Sequence, residues 1–291
     1  MIRFSKFLRL YFLISAMVLI PGVISLLVNG LKPAVDFTGG TLLELQFLDA
    51  IEHSQIDTVA QETTIEITNM QPSENNTFLF RMKPTERENI SNFINGFSDN
   101  LEGAPQVIRN ETVGPILGKE LLSKTVMAAF FAVIVILLFV AYAFKNIIFG
   151  ISAIIALLHD VMVTVGIFSL LGYFLHVEVD TLFVTAVLTT MSFSVHDTIV
   201  VFDRIRELSK RGSRMSFEDR CDTALTETMN RSVVNSLTII FMLLALVLMG
   251  GETIRWFVVA LLIGTISGTY SSPFVATPSL ILLHRRKQKK K

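Results

Sequence analysis

Long apolar stretches alternate with polar connections along this chain, and six of them are long enough to be transmembrane helices. They cover residues 7–28, 125–144, 147–171, 181–202, 231–249 and 254–283. A helix needs roughly 20 mostly apolar residues to cross the hydrocarbon core of a bilayer. Basic residues precede the first stretch, as in a signal peptide, but its apolar run is longer than the roughly 7–15 residues typical of one. We therefore predict a retained N-terminal anchor and six membrane spans.

Residues 30–124, between the first two spans, show the short-period patterns of a separate domain. Strands are predicted at 41–47, 64–70, 77–82 and 105–112, and helices at 52–62 and 85–100. The turn-forming stretch 71–76 indicates a hairpin between the second and third strands. Thr85 and Glu88 are predicted to form a capping box at the start of the second helix. The order strand, helix, strand, strand, helix, strand predicts an α+β ferredoxin-like domain.

Composition supports a membrane protein, because 51% of the residues are hydrophobic, 17% are charged and the mean hydropathy is +0.57. Soluble domains average about 25% charged residues. The 25 Lys and Arg balance the 25 Asp and Glu, so the net charge indicates no nucleic-acid partner. A single cysteine, Cys221, excludes an intrachain disulfide framework.

The sequence contains neither a phosphate-binding Gly-x-x-x-x-Gly-Lys loop nor a His-Glu-x-x-His metal pattern. We therefore predict no enzymatic activity, no cofactor and no metal site. The energy for any work by this protein must then come from another subunit or from the membrane gradient.

Basic residues cluster at the N-terminus, in a predicted loop at about 203–230 and in the tail at 284–291. They are Arg3, Lys6 and Arg9; Arg204, Arg206, Lys210, Arg211, Arg214 and Arg220; and Arg285, Arg286, Lys287, Lys289, Lys290 and Lys291. Short basic segments stay in the cytoplasm. Both termini are thus predicted inside, and the domain at 30–124 outside. The basic tail is expected to contact anionic lipid headgroups.

The resulting division of the chain places the N-terminal cytoplasmic end and the first span at 1–29, and the external domain at 30–124. The remaining five spans follow at 125–283, and the basic cytoplasmic tail occupies 284–291.

Ionisable residues inside the spans are the main candidates for function, since a central Asp or Arg costs about 2.5–3.5 kcal/mol on insertion scales. The third span contains His159 and Asp160, the fourth contains His196 and Asp197, and the fifth begins at Arg231. His159 and Asp160 are candidate modulators of a proton relay, although either could instead hydrogen-bond across the bundle.

Helical spacing places Thr190, Ser194 and Asp197 on one stripe of the fourth span, and Arg231 and Asn235 on one face of the fifth. The directions of the two spans bring Asp197 and Arg231 to similar depth, which predicts a charge pair. Two interpretations remain open. The pair could only orient the helices, or the carboxylate could exchange a proton as the arginine approaches and withdraws.

Small residues in the last span predict close helix packing, because Gly264 and Gly268 form a small-xxx-small pair. Pro273 and Pro278 predict a kink near the cytoplasmic end, since each proline removes a backbone donor.

Several blocks of this sequence together resemble the SecD/SecF protein-export family, and in particular its smaller, SecF half. The longest block, VHDTIVVFDRIRE at 195–207, resembles the signature of that family. Other matching blocks are DFTGG (Asp36, Phe37, Thr38, Gly39, Gly40), VGP at 113–115, ALLHDV at 156–161, NRS at 230–232 and GTYSSP at 268–273. These blocks fall in nearly every predicted element, so the resemblance covers essentially the whole chain.

The resemblance implies a six-helix bundle of the RND superfamily that pairs with six helices of SecD in the bacterial inner membrane, with a periplasmic external domain. It implies an accessory subunit of the SecYEG translocon that uses the proton-motive force in late steps of preprotein export. YajC and SecA-dependent preproteins are further candidate partners. The membrane Asp and Arg of the family match Asp197 and Arg231. A third relay residue, an Asp, would come from SecD.

One departure from the family is His196, where Asn is common. Because histidine changes charge near neutral pH, we consider that His196 modulates the relay. The alternative is a neutral ring that hydrogen-bonds towards Thr189. Two other functions also remain open: a subunit of an RND-type small-molecule or lipid exporter, and a passive translocon-stabilising factor. The single external domain and the six spans argue against an exporter. Whether the coupling ion is H⁺ or Na⁺ is left open.

Overall fold

The structure, a computed structural model, describes residues 4–72, 76–100, 104–144, 146–210 and 215–289. The chain divides into two compact units, Pro33–Met127 and a second unit that combines Met1–Lys32 with Ala128–Lys291. Part of the predicted basic clusters, Arg3, Arg211, Arg214, Lys290 and Lys291, lies outside the described residues.

The elements in chain order begin with a 3₁₀ turn at Phe4–Phe7. Then follow α1 (Leu8–Asn29), α2 (Val35–Thr38), β1 (Gly40–Gln46), α3 (His53–Glu62), β2 (Ile67–Pro72), β3 (Thr77–Met82), α4 (Arg87–Asn100) and β4 (Gln106–Val113). The rest of the chain comprises α5 (Pro115–Phe144), α6 (Ile147–Leu175), α7 (Thr181–Lys210), α8 (Phe217–Met249), α9 (Glu252–Ser271), a π-helical turn (Ser272–Ala276) and α10 (Thr277–Lys289).

The unit Pro33–Met127 contains a four-stranded sheet with the order β2-β3-β1-β4. Each neighbouring pair of strands is antiparallel. With α3 and α4 in the two connections, this topology is the predicted ferredoxin-like fold. Leu43 and Leu45 share one face of β1, Phe93 and Phe97 share one face of α4, and all four side chains are fully buried in one core. Burying each such side chain contributes about 1.5–3 kcal/mol.

The start of α4 differs from the predicted capping box. The Thr85 hydroxyl donates to the Lys83 carbonyl at 2.6 Å, while its backbone N–H donates to Thr41 Oγ1 at 3.1 Å. Thr85 is thus held by the preceding turn and by β1, and α4 begins two residues later. The capping box of this domain lies at α3, where Glu52 and Gln55 exchange side-chain and backbone hydrogen bonds.

Six helical segments of the described chain are long and apolar enough to span a membrane, in agreement with the hydropathy pattern. The helices, however, do not end where the apolar stretches end. The predicted basic loop at 203–230 is mostly helical, because α7 and α8 both extend into it. Arg204 pairs with Glu207 on its own helix and with Glu227 on α8, at 2.6 Å for the second pair. Polar residues joined by such pairs continue a helix beyond its apolar part. Likewise, α5 begins at Pro115 rather than at residue 125.

Small residues set the close approaches within the membrane unit. A Cβ atom at Gly22 of α1 would lie 2.9 Å from the Cα of Gly166 on α6. A Cβ at Gly264 of α9 would lie 2.4 Å from Thr190 Cγ2 on α7. The last span is irregular at the π-helical turn, where Pro273 cannot donate a backbone hydrogen bond.

Candidate functional site

Asp197 lies near the middle of α7, half-buried, on the side that meets α8. The side chains of Ser232 and Ser236, on α8, interact electrostatically with its carboxylate. These serines are four residues apart on α8 and therefore share one face of that helix. Their hydroxyl groups place polar partners beside a carboxylate that lies inside a membrane span. Sequence reasoning did not assign either serine, although their spacing and the NRS block pointed to that face.

Arg231 precedes Ser232 on α8, and its charge acts on Asp197. The Arg231 side chain is exposed on this chain, and the described ion pairs include none between it and Asp197. In this conformation the guanidinium acts on the carboxylate through its charge and not as an ion pair among the described residues. A direct Asp197–Arg231 pair remains a prediction for another state of the protein.

Two further candidates, His196 and Asn235, are exposed on this chain, and both border a small cavity beside Asp197. The hydroxyl proton of Thr189 is used within α7, since Thr189 Oγ1 donates to the Thr185 carbonyl at 2.7 Å. We call the exposed set His196, Arg231 and Asn235 the polar face. Its members lie within helices of transmembrane length, yet this chain leaves them uncovered.

Asp160 forms a separate, deeply buried cluster that joins three helices. Its Oδ2 accepts hydrogen bonds from Ser194 Oγ of α7 at 2.5 Å and from Ser271 Oγ of α9 at 2.6 Å. Its Oδ1 accepts one from Ser267 Oγ of α9 at 2.6 Å and lies 3.1 Å from His159 Nδ1. The Asp160 side chain is only 4% exposed. We call these five residues the Asp160 hub.

The hub separates residues that the sequence had grouped together. Ser194 was predicted on the stripe of Asp197, but its hydroxyl donates to Asp160 on α6. Thr190 is on the same stripe, and its hydroxyl donates to the Val187 carbonyl at 2.9 Å. The three residues of this stripe therefore have different roles. Thr190 packs against Gly264 of α9, Ser194 belongs to the Asp160 hub, and Asp197 forms the candidate site. Ser267 and Ser271 were not assigned as partners of Asp160, although their spacing of four residues on α9 indicated one polar face.

Within Pro33–Met127, the block at 36–40 forms the entry to β1. Phe37 is buried in α2, and Gly39 and Gly40, which follow Thr38, have φ angles of +74° and +140°. A Cβ at Gly39 would lie 2.7 Å from the Cα of Pro115, which begins α5. Glycine is therefore required at Gly39 both by its backbone conformation and by the close contact.

The described residues contain no group of three or more His, Cys, Asp or Glu side chains that could hold a metal ion. Cys221 is buried and is not in a disulfide. The groups at the Asp197 site are one carboxylate, neighbouring hydroxyl groups, the His196 imidazole, the Asn235 amide and the nearby Arg231 guanidinium. Such a set can bind and release a proton or another small cation.

Comparison with known proteins gives matches over nearly the whole chain. The C-terminal profile of the protein export membrane proteins SecD/SecF matches residues 95–286, and the SecD/SecF GG motif matches residues 24–47. The protein translocase subunit SecF of Thermobaculum terrenum is 40% identical, over 97% of this chain and 93% of that protein. The subunit of the same name from Anaerolinea thermophila is 36% identical, over 94% of this chain and 91% of that protein.

Solved structures match as well. The crystal structure of SecDF, a translocon-associated membrane protein from Thermus thermophilus, has a TM-score of 0.85 and 29% identity, covering 98% of this chain and 39% of that chain. The crystal structure of SecDF in a super-membrane-facing form has a TM-score of 0.69 and 30% identity. The match covers 99% of this chain and 39% of that chain. This chain therefore spans less than half the length of SecDF.

Proposed function

The chain belongs to the SecD/SecF family of protein-export membrane proteins, as a SecF-type subunit, and on that premise we propose that it uses the proton-motive force to promote late steps of preprotein export. In this proposal Asp197 is the ion-responsive carboxylate and Arg231 is its charged partner. The subunit works with a SecD-type partner beside the SecYEG translocon, with YajC and SecA-dependent preproteins as further partners. It lies in the bacterial inner membrane, with both termini cytoplasmic and the domain Pro33–Met127 periplasmic.

The observation that carries this proposal is the uncovered polar face beside Asp197. Arg231 and Asn235 are exposed in the middle of α8, and His196 is exposed in the middle of α7. Arg231 begins the fifth apolar stretch, and an arginine that faces the hydrocarbon core costs up to about 2.5–3.5 kcal/mol, the insertion-scale value at a helix centre. A partner that covers this face removes the cost and completes the site. The SecDF chain, of which this chain matches only 39%, has the additional length for such a second bundle.

The proposed cycle depends on the charge of Asp197. When the carboxylate is ionised, Arg231 is attracted towards it and α7 and α8 are drawn together at this level. A proton that enters from the periplasmic side neutralises the carboxylate, so the attraction to Arg231 is lost and the two helices are free to shift. One elementary charge that crosses 100 mV releases about 2.3 kcal/mol. That energy changes a two-state equilibrium by about fifty-fold, which is sufficient to drive a domain movement.

The experiment is gradient-dependent export by the Asp197→Asn variant in inverted membrane vesicles. We expect loss of the stimulation by the proton-motive force, while the SecD-type partner still co-purifies. Asp203→Asn is the matched control, because Asp203 is exposed on the same helix and pairs only with the half-buried Arg206 among the described ion pairs. Unchanged stimulation in Asp197→Asn would refute the proposed relay and would favour a passive translocon-stabilising factor.

A further inference from the structure

A wide cleft lies at one end of the membrane unit, where the N-terminal 3₁₀ turn and α1 meet the start of α8 and the end of α10. Its volume is about 900 Å³. Sites for small molecules usually have volumes of about 300–1,000 Å³. The cleft is separate from the Asp197 site and from the Asp160 hub, since it shares no residue with either. It is therefore large enough for a ligand and is not used by the proposed relay.

A buried carboxylate fixes one wall of this cleft. The Asp222 side chain on α8 is only 1% exposed. Its Oδ1 accepts a hydrogen bond from the Ser5 backbone N–H at 2.9 Å, and its Oδ2 accepts one from Ser5 Oγ at 2.7 Å. These two bonds join the 3₁₀ turn to α8. Lys6 follows Ser5 in that turn and Arg9 lies in the first turn of α1, so a buried contact positions the backbone that carries both cations.

The charges that line the cleft are not all neutralised within the described chain. Arg285 is paired with Glu218 at 2.7 Å. Lys6, Arg9 and Asp219 also line the cleft and are exposed, and the described ion pairs include none of the three. The cleft thus offers two cations and one anion to a ligand. A ligand that matches them carries a negative group and a positive group close together.

The same cleft has an apolar side. Phe7, Leu10 and Leu282 line it and are exposed, and they belong to helical segments long and apolar enough to span a membrane. Long basic side chains at the end of such a segment extend their charges towards the headgroup layer of a bilayer. The ligand therefore meets charged groups on one side and apolar groups on the other. A phospholipid has both parts, whereas a soluble phosphate compound leaves the apolar side uncovered.

We propose that this cleft binds one phosphatidylethanolamine molecule, the phospholipid whose headgroup combines a phosphate with a primary ammonium group. Lys6 and Arg9 hold the phosphate through charge-assisted hydrogen bonds, and the Asp219 carboxylate accepts a hydrogen bond from the ammonium group. An acyl chain lies against Phe7 and Leu10. The binding does not depend on the proposed function, and only the assignment of the site to the cytoplasmic leaflet rests on the proposed orientation.

The charges distinguish this lipid from the other common ones. Phosphatidylglycerol carries the phosphate but no cation, so its binding would leave Asp219 beside a net negative headgroup. Phosphatidylcholine carries a positive charge, but its quaternary ammonium has no N–H group to donate to a carboxylate. Only the primary ammonium supplies both the charge and the hydrogen bond that Asp219 can accept.

The test is native mass spectrometry of the full chain in detergent, titrated with an equimolar mixture of phosphatidylethanolamine, phosphatidylglycerol and phosphatidylcholine that have the same acyl chains. We expect one phosphatidylethanolamine to bind in preference to the other two lipids. Lys6→Gln and Arg9→Gln should each weaken its binding about fivefold. Lys287→Gln is the matched control and should leave the binding unchanged. It removes the same charge from an exposed position on α10, at the same end of the protein, and Lys287 does not line the cleft.

Asp219→Asn tests the contact with the ammonium group. It should weaken the binding of phosphatidylethanolamine about threefold and should not weaken that of phosphatidylglycerol, so the preference between the two lipids is lost. Asparagine keeps an oxygen that can accept from Ser216 Oγ, which donates to the Asp219 carboxylate at 2.7 Å, so the start of α8 is preserved.

Three results would overturn the inference. In the first, the unsubstituted chain binds phosphatidylglycerol or phosphatidylcholine as tightly as phosphatidylethanolamine. In the second, Lys287→Gln weakens binding as much as Lys6→Gln, which would show a general attraction to the basic end of the chain. In the third, free phosphoethanolamine displaces the lipid at equal concentration, which would indicate a soluble ligand. None of these measurements depends on export, so failure here and failure of the proposed function are distinguishable.

Discussion

Replacement of Asp160 by alanine is expected to destabilise the membrane bundle strongly. The carboxylate accepts three serine hydroxyl groups within 2.6 Å, from two helices other than its own, and it is buried. Alanine removes the common acceptor, so three buried hydroxyl groups lose their partner at once. The side chain of His159 loses its contact with Oδ1 as well.

The magnitude follows from these contacts. Interhelical hydrogen bonds in membrane bundles contribute about 0.6 kcal/mol on average and about 1.7 kcal/mol at most. Three such contacts predict a loss of about 2–5 kcal/mol for Asp160→Ala. Ser271→Ala removes one of them and should cost about 0.6–1.7 kcal/mol. Because Ser271 acts through Asp160, the double variant should be less destabilised than the sum of the two single variants.

The assay is reversible unfolding of the full chain in mixed micelles, with the free energy of unfolding compared between variants. Asp203→Ala is the control, since that side chain is exposed and its pair with Arg206 is worth about 0–1 kcal/mol. The reasoning would be refuted by an Asp160→Ala protein with a free energy of unfolding within about 0.5 kcal/mol of the unsubstituted protein, the usual limit for neutral surface changes.

Three further substitutions test the packing. Gly264→Leu should prevent the contact of α9 with α7, since even a Cβ there would lie 2.4 Å from Thr190 Cγ2, and the amount of folded protein recovered from membranes should fall sharply. Gly39→Ala should lower the free energy of unfolding of the external domain by at least about 1 kcal/mol, measured by thermal unfolding, because the φ angle of Gly39 is +74°. Gly114→Ala is the control and should leave that free energy unchanged, because a Cβ atom at Gly114 would have no atom within 4 Å. Phe93→Ala should cost that domain about 3–5 kcal/mol, measured by denaturant unfolding, because the ring is fully buried in the core.

The Asp160 hub and the Asp197 site have different consequences when they are damaged. Loss of Asp160 should lower the amount of stable protein, since its contacts hold α6, α7 and α9 together. Loss of Asp197 should leave the amount unchanged and affect only the response to the gradient, because Asp197 is half-buried and the serines that interact with it, Ser232 and Ser236, both lie on one neighbouring helix. Comparing protein level with export for the two variants separates a structural carboxylate from a functional one.

Elements that depend on local pattern were predicted from the sequence. The ferredoxin-like strand order follows from short alternating segments and turns, and β3 at Thr77–Met82 matches its predicted range. Helix ends were predicted less well, because the apolar stretch marks where lipid contacts the helix, while hydrogen bonding and ion pairs such as Arg204–Glu227 carry α7 and α8 further. The Thr85 cap failed for a similar reason, since a tertiary contact with Thr41 competes with it.

The amino-acid sequence by itself determined that this chain has six helices long and apolar enough to span a membrane, that one α+β domain lies between the first two, and that a few ionisable residues lie inside them. These properties depend on composition and on spacing along one helix or strand. Only the tertiary structure decided which polar groups meet. Ser271 and Asp160 are 111 residues apart in sequence, and their contact depends on how α9 is rotated and how closely it crosses α7. That geometry is set by glycines and side-chain shapes on several helices together, so no single segment encodes it.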